Sequence, residues 1–123
     1  MKVFLVNNKE ILFGSNALEN TDLVNSYKFT HPNATWFHLS NSRSSHAFCL
    51  QSEELNRSEK NIVGNILLAL SKNTSKNQKM SFCKIKNVKS TNTPGLVNIK
   101  FFKEITIKKI NEFDKNLYLQ NNT

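Results

Sequence analysis

Glycine, proline and cysteine are scarce: the 123 residues include three Gly, two Pro and two Cys. The three glycines, Gly14, Gly64 and Gly95, are isolated, so the chain lacks the glycine-rich loop that cradles phosphates in nucleotide hydrolases. Cys49 and Cys83 show no CxxC spacing and sit among apolar residues, which argues against a zinc knuckle or a disulfide framework and predicts two buried thiols. Long apolar runs are missing too. The N-terminal Met1-Lys2-Val3-Phe4-Leu5-Val6 turns polar at Asn7-Asn8, too soon for a signal peptide or a membrane span, and the expected setting is cytoplasmic.

Acidic residues are the most unevenly missing type. Seventeen Lys and Arg against nine Asp and Glu give a net charge of +8. Through residue 70 the signs cancel, six against six; beyond it, eleven lysines face Glu104, Glu112 and Asp114. An AT-rich genome accounts for abundant Lys and Asn, but it enriches Glu as well. Between Lys60 and Lys103 there are nine lysines and no acid. A single-sign surface attracts polyanions, nucleic acid first and an anionic membrane second. No amphipathic helix pairs these lysines with an exposed apolar face, so a membrane partner ranks last.

The pattern along the chain is that of one α+β domain, a mainly antiparallel sheet of about six strands with two helices on one side. Residues 3–6 and 10–13 read as a hairpin closed by Gly14, and 16–27 as a helix capped by Ser15 or Asn16. His31-Pro32-Asn33 is a turn. Residues 35–39 and 46–50 read as paired strands around a polar loop. A second helix starts at Ser58 as N-cap and buries Ile62, Val63, Ile66, Leu67 and Leu70. Lys79 to Val88 reads as one strand with Cys83 and Ile85 inward and Lys84 and Lys86 outward. After Pro94-Gly95, one last strand places Ile99, Phe101, Ile105 and Ile107 on one face. The domain spans 1–110, and 111–123 is a polar, frayed tail.

Two features carry candidate chemistry. Strand pairing brings His38 near His46, with Arg43 and Ser45 in the intervening loop, an arrangement suited to a phosphate or to acid and base roles. No carboxylate is near enough in sequence to complete a Ser-His-acid triad, and a metal site lacks a third ligand. The alternative is two histidines satisfied by hydrogen bonds at a sheet edge. The second feature is the run Lys72, Lys76, Lys79, Lys84, Lys86 and Lys89. If the helix continued, the first three would share a face, and Lys84 and Lys86 would extend it into one patch. Asn73, Asn77, Gln78 and Asn87 interleave as hydrogen-bonding partners for phosphates or base edges, and Phe82 is either a base-stacking or a core residue.

In order, the residues resemble the NFACT-R family of RNA-binding domains: a hairpin ending at Gly14, Glu19-Asn20 with Asp22-Leu23, Trp36-Phe37-His38, Ser45-His46, a helix ending Ala69-Leu70-Ser71-Lys72, a basic strand, and Pro94-Gly95-Leu96-Val97 before a closing strand. The likeness covers residues 1–107 and is nearest to the family's stand-alone branch, without that branch's charged coiled coil. The resemblance implies binding of structured RNA, ribosomal or transfer, with Gly14, Asn20, Trp36, His38, Ser45 and His46 at motif positions. No cofactor is expected. The expected function is therefore a small cytoplasmic RNA-binding protein acting at the ribosome, in which lysines 72 to 89 and Arg43 meet RNA. The alternatives are an RNA- or nucleotide-directed enzyme using His38 and His46, and a protein-interaction module docking on a ribosomal protein.

Overall fold

The N-terminal hairpin turns on two asparagines. In the computed structural model, which describes residues 1–51 and 53–120, strands β1 (Lys2–Val6) and β2 (Lys9–Phe13) pair from Val6↔Lys9 outward. Asn7 and Asn8 take φ of 50° and 64°, the left-handed pair a two-residue hairpin needs and asparagine tolerates. Helix α1 (Ala17–Thr30) starts where the Asn16 side chain accepts from the Glu19 amide, and Pro32 lies just past its end. Strands β3 (Thr35–Leu39) and β4 (Ala47–Cys49) pair antiparallel, as the sequence predicts.

Helix α2 (Arg57–Ser71) begins earlier than expected. Asn56, not Ser58, is the N-cap: its side chain accepts from the Glu59 amide, and the Glu59 carboxylate accepts from the Asn56 amide. Glu59 is buried and also accepts from Lys9 Nζ at 3.0 Å and Asn7 Nδ2 at 3.1 Å, which ties α2 to the first hairpin. The helix stops at Lys72, whose φ of 53° is left-handed. No helical face therefore carries Lys72, Lys76 and Lys79 together.

The six-stranded sheet runs β1-β2-β4-β3-β5-β8, every neighbouring pair antiparallel, with β5 (Lys79–Lys84) and β8 (Lys103–Thr106) at one side. The helices cover opposite faces, not one. Phe37 and Leu39 point into the α2 core with Val63, Ile66 and Met80; Trp36 points the other way, with Phe48 and Cys83, toward Val24 of α1. Adjacent apolar residues such as Trp36-Phe37 break the alternation of a half-solvated sheet, because both faces need a cover.

Part of that second cover is a feature the sequence conceals. The expected long strand from Lys79 breaks into a 3-10 turn at Ile85–Asn87, and the expected last strand divides at Phe101. The pieces between, β6 (Val88–Ser90) and β7 (Val97–Ile99), form a separate two-stranded ribbon over the α1 face. Phe101, expected inward, is 83% exposed. Of the expected tail, residues 111–120 are described and are not frayed; 121–123 lie outside the described residues. Phe113 and Tyr118 pack against the α2 core, and the β1 edge pairs with it: Leu5 donates to the Tyr118 carbonyl and Gln120 to that of Val3.

Candidate functional site

The motif residues converge on His46. The residue is 1% exposed and its ring is held from both sides: Trp36 Nε1 donates to Nδ1 at 3.0 Å, which leaves the proton on Nε2 to donate to the Gly95 carbonyl at 3.0 Å. Its backbone is held equally. The His46 amide donates to Asn20 Oδ1 at 3.3 Å, and its carbonyl accepts from the Gly14 amide at 3.1 Å. Gly14 is glycine because a Cβ there would run into the Asn20 side chain. Four separate segments thus meet: the end of β2, α1, β3 and the β6–β7 loop. Thr21 closes the ring by accepting from the Gly95 amide at 2.7 Å, and Gly95 itself has φ of 80° with Ala17 packed against it.

Burial dominates the electrostatics. It pushes the His46 pKa down to about 4, and the neighbouring His38 adds to the shift. His38 is half-buried, its pKa also lowered by burial, and its Nδ1 donates to the Leu39 carbonyl at 2.7 Å. Its ring lies parallel to Trp36 with centroids 5.7 Å apart, and edge-on to His46 at 4.9 Å. The histidine pair therefore forms as expected. His46, however, has both ring nitrogens engaged and none left to move a proton, which removes the acid–base role expected for the pair as a unit.

Beside this network opens a cleft of about 810 Å³. His38, Arg43, Ser45 and Asn20 line it together with the first residues of α1, the last of α2 and the Pro94-Gly95 loop. Ser45 and the exposed Arg43 are placed by a short chain of hydrogen bonds, in which the Leu39 amide donates to Ser44 Oγ and Ser44 Oγ donates to the Ser45 carbonyl. On the other side of His38 lies a second groove of about 510 Å³, between the main sheet and the ribbon, lined by Trp36, Leu96 and Phe102 among others. The roof of both spaces, the β6–β7 loop, was not among the predicted site residues. Its only sequence signal is Pro94-Gly95.

The lysines do not make one patch. Lys79 and Lys84 stand at opposite ends and on opposite faces of β5, Lys86 lies in the 3-10 turn, and Lys89 is on the ribbon. Lys72 caps α2, and Lys76 follows it in a loop. Among the described residues none of the six has an ion-pair partner. Gln78 is unavailable to a ligand, since its amide donates to the Ser40 and Lys79 carbonyls and accepts from Ser42. Phe82 is a core residue with Lys60 Nζ 4.4 Å above its ring. Both cysteines are buried free thiols, as expected, and burial raises the Cys83 pKa to about 11. Among the described residues no group of three metal ligands occurs, and no helix is long and apolar enough to cross a membrane.

No protein-family model and no curated protein matches the chain. Among solved structures it is similar to the C-terminal part of the fibronectin/fibrinogen-binding protein from Streptococcus suis, with a TM-score of 0.82 over 97% of this chain at 18% sequence identity. The chain spans 49% of that neighbour's length, and at this identity the likeness shows a shared fold.

Proposed function

We propose that this chain is an RNA-binding domain of the NFACT-R type, acting in the cytoplasm on structured transfer or ribosomal RNA. The observation that carries the reading is the convergence of the motif positions: Gly14, Asn20, Trp36 and His46 build one hydrogen-bonded network, and His38 and Ser45 stand where that network meets an open cleft. Arg43 on the cleft rim offers a planar, bidentate donor for a phosphate. The net charge of +8, with six exposed or half-exposed lysines outside any ion pair among the described residues, supplies attraction to the RNA backbone from several sides. Shape would be read at the cleft and affinity supplied by the lysines.

The alternative enzyme reading loses one of its two histidines to the buried network. Titrating labelled transfer RNA into wild type and Arg43→Glu tests the proposal. Loss of a charge-assisted contact and its reversal should weaken binding about ten-fold or more. Equal affinity would remove the cleft from the interface.

A further inference from the structure

We infer that the outer face of the β6–β7 ribbon and Phe101 form a second RNA contact, a platform for an unpaired nucleotide. The inference rests on the RNA reading above and adds a site that the motif residues do not include. The pairing Val88↔Ile99 turns those two side chains toward the core and, by alternation, sends Lys89, its partner Asn98, and Lys100 to solvent. The Lys100 amide donates to the Asn87 carbonyl at 3.2 Å, so the ladder continues to the residue just before Phe101. Lys86 precedes the same ladder, and no acid occurs anywhere from 85 to 103.

At the end of this ribbon Phe101 is held in a conformation that phenylalanine disfavours. Its φ is 52°, a region that glycine or asparagine normally fills, and the residue is 83% exposed. Burial therefore does not explain a bulky aromatic there. The Lys100 ammonium lies over the ring, 5.8 Å from its centroid, and the exposure leaves ring surface open to a ligand. A flat apolar ring beside a row of cations matches the two halves of an unpaired nucleotide: the base stacks, and its phosphates meet Lys89 and Lys100.

The test compares a labelled short oligouridine with a blunt RNA duplex, measured by anisotropy on the full chain. Phe101→Ala should weaken oligouridine binding about five-fold to a hundred-fold, the range for loss of one base stack. Duplex affinity should stay within about two-fold. Phe101→Trp should restore the oligouridine affinity. Phe101→Gly should raise the melting temperature while still losing oligouridine binding, a combination that a merely structural Phe101 does not produce. Oligouridine affinity within two-fold of wild type in Phe101→Ala overturns the platform and leaves the cleft reading standing. Absence of any RNA binding by wild type overturns both.

Discussion

His46 shows how a residue with the look of a catalyst becomes a keystone. Its folded pKa of about 4 lies below the ordinary 6.5, so the unfolded chain takes up a proton at a pH where the native ring cannot. The stability it contributes is complete above pH 6.5 and is lost as pH falls from there toward 4, in total on the order of 3 kcal/mol. Urea denaturation across that window should show wild type weakening and His46→Gln showing a shallower decline from a lower starting point; parallel curves would refute the assignment. Gly14→Ala tests the same network from outside the ring. It pushes Asn20 off the His46 amide and should cost about 1–3 kcal/mol by overpacking. Trp36, His38, Ser45 and His46 were legible as a group because strand pairing is a local signal. The burial of His46 was not legible, because its last partner, the Gly95 carbonyl, comes from 49 residues away.

At the level of elements, the helical periodicity of α2 was read correctly, whereas its cap and the breaks within the alternating strands were not. The apolar spacing of α2 located the helix, yet Ser58, the expected N-cap, lies inside it, and the reciprocal Asn56–Glu59 pair sets the start. Asn56→Ala should lower stability by about 1 kcal/mol, read as a drop in the thermal midpoint, whereas Ser58→Ala should leave it within about 0.5 kcal/mol. The same limit hid the ribbon. Lys79 to Val88 and Ile99 to Ile107 each alternate well enough to pass for one strand. Their breaks lie at Ile85–Asn87, without glycine or proline, and at Phe101, where a positive φ falls on a residue that does not advertise it. The tail from 111 read as frayed because its apolar residues, Phe113, Tyr118 and Leu119, are too sparse for periodicity; their partners on β1 and in the α2 core are distant in sequence.

For the whole molecule, the sheet is buried on both faces, and this arrangement explains the distribution of charge. A two-faced sheet leaves little broad flat surface for a single lysine patch. The positive charge instead surrounds the molecule, with Lys72 and Lys76 at the end of α2, Lys84 beside α2, and Lys86, Lys89 and Lys100 along the ribbon. The uneven charge was legible from the order of residues along the chain; its dispersal depends on the 3-10 turn after β5 and the stop of α2 at Lys72. Such a molecule would grip a folded RNA at several points, with the neutral His46 network shaping the cleft between them. The central claim is that this grip is on RNA. Its most direct test is the affinity of the wild-type chain for transfer RNA at about 50 and about 200 mM monovalent salt. Four phosphate contacts predict saturable binding that weakens about a hundred-fold across that range. No saturable binding at the lower salt, or an affinity indifferent to salt, would contradict the account.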